Sequence, residues 1–200
     1  SLTPRSSSPR PFILYTGPMF SGKSSHLVSH IDRCHFQRRS IMAFKPALDD
    51  RFATEHIVTH TGSRVPAHAV ADGAEVLRLL LEANEVPDVV AVDEAWMLHG
   101  IAEALVDVFQ MGVSVVVASL DLLADGREAG EVGRMFSWAT HVEKCVAVCA
   151  VCGTDAHYSY RRVTDDRDVV LGGPELYEAR CFSCHPLINR RPIDVSTPVS

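Results

Sequence analysis

The sequence predicts an α/β protein: a mainly parallel sheet with flanking helices, followed by a small zinc-binding lobe. Three observations carry this. Short apolar runs alternate with stretches of helical spacing through the first two-thirds of the chain, as strand–helix units do. GPMFSGKS, residues 17–24, joins the first apolar run to the first helical stretch and fits the pattern G-x-x-x-x-G-K-[ST]. Two C-x-x-C pairs, Cys149/Cys152 and Cys181/Cys184, lie in the last third.

The elements follow in order. PFILYT (11–16) is a short apolar run ending at a glycine, which reads as a buried strand. After the glycine loop, Leu27, Val28, Ile31 and Cys34 recur at helical spacing, with Cys34 on the core face. RSIMAFKP (39–46) reads as a second strand, and residues 47–66 show no period and read as loop. GAEVLRLLLEAN (73–84) is a helix, and PDVVAVDEA (87–95) is a strand ending in acids. IAEALVDVFQMG (101–112) is a helix closed by Gly112, and VSVVVASLD (113–121) is another buried strand. From about residue 141 the chain turns rich in Cys, Tyr, Arg and Gly, with short strands in KCVAVC and YSYRRV. The expected organisation is a loose tail at 1–10, a P-loop α/β unit at 11–140, a second lobe at 141–186 and a loose tail at 187–200.

Composition narrows the function. The 200 residues are 46% hydrophobic and 22% charged, as in ordinary globular proteins. A net charge of -6 and the lack of a basic, aromatic-interleaved stripe disfavour a nucleic-acid partner. A small polyanion remains compatible, because it needs only a local positive site. No apolar run approaches the ~20 residues that span a membrane. The opening SLTPRSSSPR has no apolar core to serve as a secretory signal. The expected location is cytoplasmic, where the six cysteines read as thiols or metal ligands rather than disulfides.

The glycine loop holds phosphate by a definite physics. Gly17 and Gly22 let the backbone turn its N–H groups inward, and the helix starting near Lys23 adds its positive end. Lys23 is placed to reach the β- and γ-phosphates, and the Ser24 hydroxyl to ligate Mg²⁺. Asp93 and Glu94 end a later strand, at the sheet edge where ligands of such folds bind. Asp93 is a candidate Mg²⁺ partner. Glu94 points away from Asp93 in an extended chain and is a candidate base for a hydroxyl or water. The alternative for this pair is a helix-capping role. Together these parts indicate a nucleoside triphosphatase or a kinase without choosing between them.

Cys149, Cys152, Cys181 and Cys184 form two knuckles that can bring four thiolates to one tetrahedral Zn²⁺. Residues 153–180 between them exceed the usual ~15–20 of a compact ribbon, so the zinc staples the base of a long loop. With no open position its role is structural. Cys145 and His185 are adjacent spare ligands, and free thiols or a redox pair are the alternatives. The stapled loop contains VVLGGPELY (169–177), a glycine turn that exposes backbone groups to a small ligand. Tyr158 and Tyr177 either line that site or pack.

GPMFSGKS, KPALDDR, VDEA, CAVC and LGGPELY-x3-CFSC occur in the order found in the type II, zinc-containing thymidine kinases, and the chain resembles that family over about residues 12–186. The resemblance implies ATP-dependent phosphorylation of a deoxynucleoside 5′-hydroxyl, with thymidine the first expectation. It also implies a lasso loop over the nucleoside and a homo-oligomer, usually a tetramer, with small-molecule partners only. Carried onto matching positions, Gly17, Pro18, Met19, Phe20, Ser21, Gly22, Lys23 and Ser24 hold the triphosphate. Asp93 is the Mg²⁺ partner, Glu94 takes the 5′-OH proton, and Arg51 faces the phosphates. Val169, Val170, Leu171, Gly172, Gly173 and Tyr177 contact the nucleoside, with Trp96, Met97, Leu120 and Ser159 at base-pocket positions.

Three departures mark the pocket. Trp96 and Met97 stand where the family has Gln and then an aromatic. Leu122, Leu123 and Ala124 stand where a Phe usually packs on the base, and Ser159 replaces a Thr. Trp96 either supplies the missing aromatic surface or packs behind the loop. The functional alternatives are the same reaction on another pyrimidine deoxynucleoside, one with a larger 5-substituent, or a nucleotide-binding regulator without turnover. A zinc-finger ATPase acting on nucleic acid is the reading that the acidic balance disfavours.

Overall fold

The computed structural model describes residues 10–47, 56–58, 62, 64–163 and 175–190. Its centre is a six-stranded, all-parallel sheet. The strands are β1 (Phe12–Thr16), β2 (Ile41–Pro46), β5 (His68–Val70), β6 (Val89–Val92), β7 (Ser114–Ser119) and β8 (His141–Lys144), in the order β5-β2-β6-β7-β1-β8. A small antiparallel pair, β3 (His56–Val58) with β4 (Arg64–Pro66), lies in the stretch expected to be loop.

Strand alternation sends side chains to two cores. Phe12, Leu14, Phe44, Val90, Val92, Val115 and Val117 face one side. There they meet Val76 and Leu80 of α2 (Gly73–Glu82), Ile101 and Leu105 of α3 (Ile101–Gln110), and Val132 and Met135 of α4 (Val132–Trp138). Ala43, Val89, Ala91, Val116 and Ala118 face the other side, against Leu27, Val28, Ile31 and Cys34 of α1 (Lys23–Phe36) and against Ile57 and Val65. β6 and β7 are buried on both faces, which is why they read as unbroken apolar runs.

Helix ends are set by identifiable groups. The Asp72 carboxylate accepts the Glu75 N–H at 2.9 Å, and Glu75 accepts the Ala71 N–H at 2.7 Å, a reciprocal cap for α2. Glu131 accepts the N–H groups of Gly100 and Ala102 at 2.6 and 3.1 Å, placing a negative charge on the N-terminus of α3. Gly112, at φ +90°, ends that helix as expected.

β8 pairs with β1 beyond residue 140, so the sheet continues past the expected end of the first unit. The lobe after it has two antiparallel pairs: β9 (Ala147–Val148) with β10 (Asp155–Ala156), and β11 (Tyr158–Arg161) with β12 (Tyr177–Arg180). Among the described residues, its core cluster is Ala147, Cys149, Ala156 and Ala179, packed against Cys181 and Cys184.

Candidate active site

β1 is flanked by β7 and β8, and its carboxyl end delivers the glycine loop directly into α1. Gly17 sits at φ +136°, and a Cβ there would lie 2.4 Å from the Cys145 carbonyl oxygen, so only glycine fits. Phe20 (φ +63°) and Gly22 (φ +81°) are also left-handed, which curls the loop around its own interior. The buried Lys23 ammonium donates to the Pro18 carbonyl at 2.7 Å, and the Ser21 hydroxyl donates to the same oxygen at 2.8 Å. The Met19 N–H donates to Ser159 Oγ of β11 at 3.0 Å, fastening the loop to the lobe.

The end of β6 brings the acids alongside. Ser24 Oγ donates to Asp93 Oδ1 at 2.9 Å, so both proposed Mg²⁺ partners sit at one point. Asp93 continues its strand's pairing through its N–H to Phe44 O. Glu94 does not extend the strand as the sequence suggests. It is left-handed, at φ +50° and ψ +41°, and opens the 3-10 turn Ala95–Met97. That conformation costs a non-glycine residue about 1 kcal/mol. It turns the Glu94 carboxylate toward Trp96, whose indole N–H donates to Glu94 Oε2 at 2.7 Å. Trp96 is half-buried, and Gly130 presses on its backbone: a Cβ there would lie 2.3 Å from the Trp96 carbonyl.

Burial raises Asp93 to about 7, with the neighbouring Glu94 charge adding to the effect and the Ser24 hydrogen bond and Lys23 opposing it. Burial lowers Lys23, while Glu94 and Asp93 pull it back up. The sign for stability follows. A carboxyl raised on folding contributes stability in full below its unfolded value, about 3.9, and that contribution is lost as pH rises through about 7. Thermal melts of the ligand-free protein should therefore lose this contribution between those limits, and Asp93→Asn should flatten that part of the profile. An unchanged profile in the variant would refute the assignment.

The four cysteines expected to bind zinc do converge. The Sγ atoms of Cys149, Cys152, Cys181 and Cys184 lie within 4.8 Å of one another, and Cys152 and Cys181 are 3.7 Å apart. Tetrahedral Zn–S bonds of ~2.3 Å imply sulfur separations of ~3.8 Å, so the set fits a structural zinc. Hydrogen bonds from the Cys181, Cys152 and Val151 backbone hold Cys149 down to about 6, while the other thiols push Cys184 up to about 12. Neither spare ligand joins. His185 is fully buried, its Nε2 lies 2.7 Å from the Ser159 carbonyl and its Nδ1 accepts the N–H groups of Leu187 and Ile188. Cys145 groups with other residues.

Ser159 is committed by its hydroxyl to Met19 and by its carbonyl to His185. The docking of the phosphate loop onto the lobe and the structural task of His185 both went unread in the sequence, where nothing signals either. Leu120 is buried at the end of β7, and Met97 and Tyr177 are half-buried. Arg51, His60 and Val169–Gly173 lie outside the described residues.

A family model described as thymidine kinase matches residues 11–185. The chain belongs to the thymidine kinase family. The resemblance drawn from GPMFSGKS and the cysteine knuckles is borne out at the level of the family. Among solved structures, the Legionella pneumophila ATPase DotB is similar at 15% identity and a TM-score of 0.42. That match covers 74% of this kinase family member, which spans only 44% of the DotB chain. The genome packaging NTPase B204 from Sulfolobus turreted icosahedral virus 2, in complex with sulfate, is similar at 15% identity and a TM-score of 0.43. Coverage there is 72% of this chain and 76% of that one. Among the described residues of this thymidine kinase relative, no helix is long and apolar enough to cross a membrane.

Proposed function

We propose that this protein transfers the terminal phosphoryl group of ATP to the 5′-hydroxyl of thymidine, giving dTMP. The observation that carries the reading is the convergence at one sheet edge of Lys23, the Ser24–Asp93 pair and Glu94. In it, the loop amides and Lys23 bind the triphosphate; Ser24 and Asp93 are the residues that would hold Mg²⁺, which would supply neutralisation of the phosphate charge. Glu94 accepts the 5′-OH proton. Trp96 fixes the Glu94 carboxylate through its indole N–H. Positioning and charge stabilisation supply most of the rate.

A second reading keeps the reaction and changes the base: a pyrimidine deoxynucleoside with a larger 5-substituent. It is favoured by Leu122, Leu123 and Ala124, which offer no ring where the family packs one. Incubation with γ-labelled ATP, Mg²⁺ and a nucleoside panel decides between them. Label is expected on thymidine. Label on a 5-modified pyrimidine in preference supports the second reading, and no label on any nucleoside despite ATP binding overturns both.

A further inference from the structure

The chain carries a second cluster of metal-ligating side chains that the phosphotransfer chemistry does not use. Ligand atoms of His26, Glu143 and Cys145 lie within 4.8 Å of one another, apart from the four-cysteine set. They come from two elements. His26 is in the first turn of α1, where its N–H closes the helix onto Gly22 O at 3.0 Å. Glu143 and Cys145 are two residues apart on β8 and its continuation, so the pleat sends both to the same face. The Cys145 N–H donates to Thr16 O at 2.7 Å, which keeps this segment in register with β1 beyond the strand's formal end.

The geometry suits a borderline-soft ion. Cys145 is buried and forms the floor, while the His26 and Glu143 side chains, each 45% exposed, form the mouth. His26 Nδ1 and Glu143 Oε1 are 3.8 Å apart. Bonds of ~2.0–2.3 Å to N, O and S set tetrahedral donors ~3.3–3.8 Å apart, so the cluster needs to contract by less than ~1.5 Å. The Tyr15 ring lies over the His26 imidazole, centroids 5.2 Å apart and tilted by 31°, and restrains its plane. One thiol, one imidazole and one carboxylate select Zn²⁺ or Co²⁺ over Mg²⁺ or Ca²⁺, which prefer all-oxygen shells. β8 is the edge strand, so water can reach a fourth position.

We propose that His26, Glu143 and Cys145 form a second, three-ligand transition-metal site beside the phosphate loop, with water as the fourth ligand. An ion there ties the first turn of α1 to the end of β8. Both abut the loop: α1 begins at Lys23, and the Cys145 carbonyl occupies the space above Gly17.

The test uses the full chain with its four-cysteine site first loaded with one equivalent of Zn²⁺, followed by titration with Co²⁺. One further ion per chain is expected, with tetrahedral visible bands and a single thiolate-to-cobalt charge-transfer band. His26→Ala should weaken Co²⁺ binding at least ~10-fold, and Cys145→Ser at least ~100-fold with loss of the charge-transfer band. His26 is exposed, so its variant retains the fold even if the buried cysteine variant does not. Absence of a second ion in the wild type, or undiminished Co²⁺ binding in His26→Ala, overturns the proposal.

Discussion

Glu94→Gln should reduce phosphoryl transfer about 10²–10⁴-fold, the span attributed to a positioned proton acceptor, while leaving ATP affinity within a few-fold of wild type. The substitution is nearly isosteric. Glutamine meets the same left-handed backbone at φ +50°, and its amide oxygen can still accept the Trp96 indole N–H, so the turn Ala95–Met97 has no reason to move. What changes is the capacity to take a proton, together with one negative charge near Asp93 and Lys23. Loss of that charge removes one cause of the raised Asp93 value and one support for the Lys23 ammonium. Nucleotide binding by equilibrium titration and single-turnover transfer separate the two contributions. Transfer continuing at the wild-type rate would refute the proton-acceptor role, and equal losses in binding and transfer would assign Glu94 to the phosphate cradle instead.

Removing the four-cysteine metal should unfold the lobe. Among the described residues its apolar cluster is Ala147, Cys149, Ala156 and Ala179, all small side chains. Burying an alanine contributes little, at about 25 cal/mol per Å² of apolar area. A structural Zn²⁺ contributes on the order of 10–16 kcal/mol at neutral pH, far more than the burial of these small side chains. Cys181→Ser, or a strong chelator, should therefore expose residues 147–163 and 175–185 to proteolysis and remove the tightly held Zn²⁺. The β11–β12 pairing, the Arg180 guanidinium 3.6 Å from the Tyr160 ring centre, and the His185 hydrogen bonds should be lost together. The parallel sheet, with two cores of its own, should remain folded. Limited proteolysis with mass spectrometry, alongside a metal count, reads both halves. A Cys181→Ser lobe as resistant as wild type would show that the cysteines are not its staple.

The sheet was legible where burial is two-sided. VVAV and SVVVAS are continuous apolar runs because helices cover both faces of β6 and β7. α1 was legible because Leu27, Val28, Ile31 and Cys34 mark one face over more than two turns. β3, β4 and β5 were not, since three residues are too few to establish alternation. α4 escaped for the same reason: its seven residues bury only Val132 and Met135. At the site, the loop, the acids and the cysteines were readable because phosphate and zinc demand fixed residue types at fixed spacing. The left-handed turn at Glu94 was not, because nothing about a glutamate announces positive φ. The Met19–Ser159 contact joins distant parts of the chain through a backbone amide and a hydroxyl, neither of which carries a sequence pattern.

That contact makes the two halves of the molecule partners in a single mechanical linkage. A lobe that tilts must drag on the Met19 amide or let it go, and a loop that closes must draw Ser159 with it. A ligand that binds one position of the lobe more tightly than another would shift the energetics of the loop as well, and thermodynamic reciprocity would make that effect equal in both directions. On the proposed reaction, a coupling of this kind would show as ATP and nucleoside each altering the other's affinity by the same factor.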